Sequence, residues 1–143
     1  MRIDTIVEGV VIDHIPAGGG MELYRYLGLD KLRCQVALIK NASSTKMKRK
    51  DIIKISGNID INLDILGYID PGITINIIKD SKIILKHHPP LPERIIDVVR
   101  CRNPRCITAS EQDISHIFKL TDAKKGIYRC VYCDTRAERD RTR

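Results

Sequence analysis

Residues 3–27 read IDTIVEGVVIDHIPAGGGMELYRYL, and the change of period inside this stretch decides the fold. Positions 3–13 are rich in Ile and Val and predict a β-strand, Gly18-Gly19-Gly20 turns the chain, and Met21, Tyr24 and Leu27 then fall at helical spacing. Strand, turn and helix make half of a split βαβ unit, and the other half follows. Residues 34–40 and 51–56 are further apolar runs, and residues 63–69 are a short helix candidate ended by Asp70-Pro71-Gly72. Residues 73–78 and 82–86 predict a hairpin across Lys79-Asp80-Ser81. The order β-α-β-β-α-β with one added strand predicts an α+β protein with a ferredoxin-like N-terminal domain.

That domain ends at His87-His88-Pro89-Pro90-Leu91-Pro92, where three prolines hold the backbone extended and block both helix and ladder. The expected division is residues 1–92 and residues 93–143, with the paired histidines read as surface residues of the connector and not as metal ligands. Residues 93–99 are apolar enough to dock between the two modules. Beyond them stand Cys101-x4-Cys106 and Cys130-x2-Cys133, two close pairs separated by 23 residues. Two short loops that each present two thiolates make the spacing of a tetrathiolate zinc site, so the second domain is expected to be a small zinc-ribbon-like β domain. Four thiolates leave no open coordination position, so one structural Zn²⁺ per chain is expected, with no catalytic role. A module this small buries too little apolar surface to fold unaided, and the ion supplies the difference. The fifth cysteine, Cys34, lies in a strand-like run and reads as a small buried hydrophobe.

The start MRIDTIVEGV has neither a cationic nor an apolar leader region, so a cytoplasmic protein with reduced thiols is expected. No apolar run reaches the roughly 20 residues of a membrane span. Of the net charge of +7, residues 1–99 hold 14 Lys and Arg against 12 Asp and Glu, and residues 100–143 hold 11 against 6. Part of the second excess offsets the net −2 of four thiolates on Zn²⁺. The remainder leaves open a zinc-ribbon nucleic-acid-binding protein, with Tyr128 and Tyr132 as its available stacking aromatics.

In the first domain, Asp13 and His14 leave a hydrophobic strand for a loop that opens a helix. Glycines there allow close approach of a phosphate or ribose, although a glycine run after a strand is also an ordinary turn. In Lys46-Met47-Lys48-Arg49-Lys50-Asp51-Ile52-Ile53-Lys54, an extended chain puts Lys50, Ile52 and Lys54 on one face, and Lys86 ends another strand. Such lysines can neutralise a triphosphate while His14 donates and Asp13 accepts from ribose hydroxyls; the alternative is a solvated basic edge strand. No nucleophile, base or carboxylate pair assembles into a reaction, so binding is expected and catalysis is not. A small nucleotide-processing enzyme is the weaker competing reading.

Several ordered motifs carry a resemblance to a known family: Val11-Ile12-Asp13-His14-Ile15-Pro16-Ala17, Arg49-Lys50-Asp51-Ile52-Ile53-Lys54-Ile55, Pro90-Leu91-Pro92-Glu93-Arg94-Ile95, and the four cysteines. Over nearly its whole length the chain resembles the regulatory chains of aspartate carbamoyltransferase, the transferase that begins pyrimidine biosynthesis. The resemblance implies an allosteric domain that binds CTP and ATP, a zinc domain that contacts the catalytic chain, and regulatory dimers that bridge catalytic trimers. By position it puts His14, Lys50 and Lys86 at the triphosphate and Asp13 and Lys54 at the ribose. It puts backbone groups of Ile6 and Ser81 at the base, with Asn76 and Ile83 lining the pocket. Cys101, Cys106, Cys130 and Cys133 hold the metal. Ser81 stands where family members can carry an aromatic residue. Asn103 matches a catalytic-chain contact, in a more basic setting than the family implies.

Overall fold

The computed structural model describes residues 6–57, 63 and 65–138. The chain divides into two compact units, Met1–Pro90 and Leu91–Arg143.

In the first unit the elements run β1 (Gly9–Pro16), α1 (Gly20–Tyr26), β2 (Val36–Ser44), β3 (Lys48–Ser56), α2 (Ile65–Ile69), β4 (Thr74–Lys79) and β5 (Lys82–His87). Every pairing is antiparallel and the strand order is β2-β3-β1-β4-β5. This is the ferredoxin-like arrangement with β5 added at one edge. Alternation along β3 explains the layers: Asp51, Ile53 and Ile55 are buried, while Lys50, Ile52 and Lys54 face the other way. Ile12, Ile15, Ile53, Ile55, Ile73 and Ile75 meet Leu23, Leu29 and Leu66 in one core. The β4–β5 connection is a two-residue turn with positive φ at both Asp80 (52°) and Ser81 (63°), the backbone that matches strand twist in tight hairpins.

Several sequence expectations shift. Asp13 and His14 do not leave the strand; they form a bulge inside β1, two residues opposite Ile52 alone, with His14 at φ 58°. The extra residue keeps Ile12 and Ile15 both inward, which strict alternation forbids. On α1 the fully buried apolar residue is Leu23, while Met21 is 39% exposed. Cys34 precedes β2 instead of lying in it, and packs partly buried against the core. The first strand, expected over residues 3–13, begins at residue 9, and positions 3–5 and 64 of the expected elements lie outside the described residues.

Asp51 ties three elements together from below. Its fully buried carboxylate accepts from the amides of Gly18 (3.0 Å) and Gly20 (2.9 Å) in the glycine turn and of Asn41 (3.0 Å) in a bulge of β2. Glycine at 20 is required by this contact, because an added Cβ would lie 2.7 Å from Leu38 Cδ1 and 2.9 Å from Asp51 Oδ2.

The second unit is a three-stranded antiparallel sheet, β6 (Arg94–Ile96), β7 (Ile117–Asp122) and β8 (Ile127–Cys130), with a short helix α3 (Ile107–Ser110). Residues 94–96, expected to dock between modules, are the edge strand of this sheet. Its core is small: Ile95, Val99, Phe118 and Tyr128, with Cys106 and Cys130 beside them. The buried Tyr128 hydroxyl donates to the Pro92 carbonyl, and burial pushes its pKa up to about 12.

Candidate metal centre and cationic sheet face

The four expected cysteines converge. Their Sγ atoms all lie within 4.8 Å of one another, with Cys101–Cys133 at 3.5 Å and Cys106–Cys130 at 3.8 Å. A tetrahedron with metal–sulfur bonds of about 2.3 Å has edges of about 3.8 Å, whereas a disulfide brings two sulfurs to about 2.05 Å. The cluster therefore fits a tetrahedral ion, and all four thiols are free.

Backbone geometry builds the site from two turns. Cys106 N donates to Asn103 O, and Asp134 N to Cys130 O, curling the chain so that each pair points inward. Thr108 donates to Cys106 Sγ at 3.1 Å, and the Thr135 hydroxyl lies 3.2 Å from Cys133 Sγ. The thiols are unequal. Burial pushes Cys101 up to about 12 and raises Cys130, while at Cys133 the effect of burial is outweighed by the Thr135 and Asn103 side chains, which bring it down to about 6. Metal ligation requires thiolates, so loading releases protons and strengthens as pH rises.

The second constellation lies on the face of the large sheet opposite the core. Register aligns Lys54, Val11, Asn76 and Lys86 as one row across β3, β1, β4 and β5. Three strand spacings make that row about 14 Å long. One step further along the strands, Lys50 Nζ sits 2.9 Å from Asp13 Oδ1, which also accepts from the His14 amide at 2.6 Å. Burial raises the Asp13 pKa, but the Lys50 hydrogen bond and charge and the His14 amide outweigh it and hold the carboxyl below its ordinary value. His14 Nδ1 lies 3.0 Å from the Thr74 hydroxyl.

At the middle of the row Asn76 is 6% exposed, and its Oδ1 has no hydrogen-bond partner among the described residues. A buried acceptor left without a partner costs about 1–3 kcal/mol, which a polar ligand or water would recover. At the far end of the face Ser81 N donates to Val7 O at 2.9 Å, bringing residues 6–7 beside the β4–β5 turn. Ile83 pairs with Ile78 on the same face and is 60% exposed. All nine expected ligand positions thus belong to one face and its end. Lys46 of the basic cluster and the paired histidines His87 and His88, expected on the surface of the connector, line a cleft with His14, Thr74 and Lys86.

A ferredoxin-like domain with a cationic, polar open face, followed by a tetrathiolate metal module, defines a binding and regulatory class of chain. The family model described as aspartate carbamoyltransferase regulatory chain, allosteric domain, matches residues 1–89, and the one described as the metal binding domain of that chain matches residues 93–143. Curated regulatory chains of aspartate carbamoyltransferase are similar along almost their full length. That of Clostridium tetani is 50% identical over 135 residues, 94% of each chain, and that of Clostridium acetobutylicum 49% over 134 residues, 94% of this chain and 92% of the relative. That of Bifidobacterium longum is 41% identical over 138 residues, 96% of this chain and 99% of the relative. The chain belongs to the family of aspartate carbamoyltransferase regulatory chains, and is a regulatory and not a catalytic chain. Family membership favours this reading over the nucleic-acid-binding one that the basic C-terminal region left open.

Proposed function

We propose that the chain binds CTP and ATP on the open face of its large sheet and transmits their binding to a catalytic chain held by its metal-binding domain. The observation that carries the nucleotide reading is the row Lys54–Asn76–Lys86 with its unpartnered buried acceptor. Lys54 and Asp13 serve the ribose, Lys50, His14 and Lys86 the phosphates, and Asn76 and Ile83 the pocket wall. Backbone groups of Ile6 and Ser81 read the base. Phosphates and ribose supply most of the affinity, so two nucleotides share one pocket while bases of different size favour different geometries. Each effector then shifts the assembly only by its differential affinity, typically about 1–3 kcal/mol.

The ion is Zn²⁺, supported by four thiolates at tetrahedral edge lengths. Once bound it supplies rigidity, with no open position for chemistry. Family membership supports a catalytic-chain partner, reached through residues 93–143 with Asn103 at the contact. It also supports pairing of two copies through residues 1–92, so that dimers bridge catalytic trimers. Free cysteines throughout support a cytoplasmic setting.

Titration calorimetry on the metal-loaded full chain tests the nucleotide reading. CTP and ATP should bind at one saturable site and compete with each other, and Lys86→Ala should weaken both by about tenfold, the size of one charge-assisted hydrogen bond. No heat from either nucleotide at millimolar concentration would remove the reading.

A further inference from the structure

The four cysteines of the metal centre are not equally anchored. Cys106 caps the start of α3, its amide donates to Asn103 O, and its Sγ accepts from Thr108. Cys130 ends β8 and its amide donates to Thr135 O. Cys133 lies in the turn that Asp134 N closes on Cys130 O, with the Thr135 hydroxyl 3.2 Å from its Sγ. Cys101 has no such setting, since it stands in residues 97–103, a stretch that belongs to no strand or helix.

A side chain supplies what the backbone does not. The Cys101 amide donates to His116 Nδ1 at 3.0 Å, from 15 positions away in the sequence. An amide N–H only donates, so Nδ1 presents its lone pair and the neutral ring keeps its proton on Nε2. His116 is itself fixed by Asp97: its amide donates to Asp97 Oδ1 at 2.8 Å, and its carbonyl accepts from Asp97 N at 2.8 Å. Asp97 turns the chain out of β6 with φ 56°, and His116 directly precedes β7. Both ends of the stretch from Asp97 to Cys101 are thereby tied to one residue at the start of the central strand of the small sheet. The same stretch borders open space. A cleft of about 920 Å³ has Asp97, Arg100, Cys101, Thr108, Asp113 and His116 in its wall. Cys101 is half-buried where Cys106 and Cys130 are buried, so it is the ligand that leaves with the least rearrangement of its surroundings.

We propose that His116 is a positioning residue for the metal, whose Nδ1 holds the Cys101 backbone so that this thiolate stays at tetrahedral distance, and that it sets how fast the ion leaves. The assignment rests on reading the four cysteines as a tetrahedral metal centre. Removing an outer partner of a metal ligand typically weakens metal binding by about 10–100-fold. Here the partner acts on the backbone of the ligand and not on its sulfur. A variant at position 116 therefore keeps all four donors and frees one of them, which speeds release and distorts the tetrahedron.

The test is the rate of Zn²⁺ release from the metal-loaded full chain to a chromogenic chelator, with the visible spectrum of the Co²⁺-loaded chain as the second reading. His116→Ala should release Zn²⁺ roughly tenfold faster than the wild type. The side-chain oxygen of asparagine stands where Nδ1 stands in histidine, whereas that of glutamine reaches one atom further. His116→Asn should therefore restore the wild-type rate, and His116→Gln should not. The Co²⁺ ligand-field bands should move in the Ala and Gln variants and match the wild type in the Asn variant. A residue that only fills space would not divide the two amides in this way. Equal rates and spectra in all four chains, or an Asn variant as fast as the Ala variant, overturn the assignment while the metal centre stands. Should His116→Ala fail to load metal, the comparison of Asn with Gln decides by the same criterion. A wild-type chain that takes up neither Zn²⁺ nor Co²⁺ overturns the metal reading itself.

Discussion

Asp13 sits at the junction of fold and ligand face, since the bulge that exposes its carboxylate also returns Ile15 to the core. With its pKa held below the ordinary 3.8, the folded protein binds fewer protons here than the unfolded chain does. Its contribution to stability is therefore complete above that value and is lost as pH falls through the lowered one. Urea unfolding of the wild type and Asp13→Asn should show the gap between them close below about pH 4, and a gap that stays constant to pH 3 would mean that the Lys50 pair stabilises nothing. The carboxylate could be singled out from the sequence, and so could Lys50 and His14. The bulge could not, because a left-handed residue is signalled by glycine or asparagine and here it is histidine. Of the paired histidines expected on the surface of the connector, His88 is exposed and follows β5, while His87 closes that strand, which runs one residue closer to the prolines than their spacing suggests.

Among elements, the strand order follows from the change of period along the chain, but what locks α1 to the sheet does not. Asp51 stands in a basic stretch at a position that alternation assigns to the core, where a carboxylate is normally excluded. Three backbone amides from two other segments make it acceptable. The available signal was an acidic residue in an inward register opposite a glycine run. Asp51→Ala should remove the acceptor of three amides, of which that of Gly20 is buried, and cost about 1–3 kcal/mol, read as a drop in the thermal midpoint of the first unit. An unchanged midpoint would show that water replaces the carboxylate. Helix α1 was harder to orient: of the expected face Met21-Tyr24-Leu27, Tyr24 and Leu27 pack against the core, but Leu23 takes its centre and Met21 is left 39% exposed.

For the whole molecule the two units differ in what keeps them folded. Among the described residues the first has a nine-residue apolar core, and the second has four buried apolar side chains besides its cysteines, too few for a module of this size. Chelation of the metal should therefore unfold residues 91–138 alone. Hydrogen exchange should lose protection along β7 and β8 while β3 keeps it, and retained protection in β7 would mean that the small sheet stands without an ion. The cysteine spacing announced this dependence, since tetrathiolate chemistry needs only pairs of residues on turns.

The large sheet ends on β5, where Ile83, Ile84 and Leu85 are 60%, 60% and 52% exposed. An apolar strand edge is a template for further strands. Left open, that edge favours pairing with strands of other copies, so the native yield should fall as the concentration of newly made chain rises.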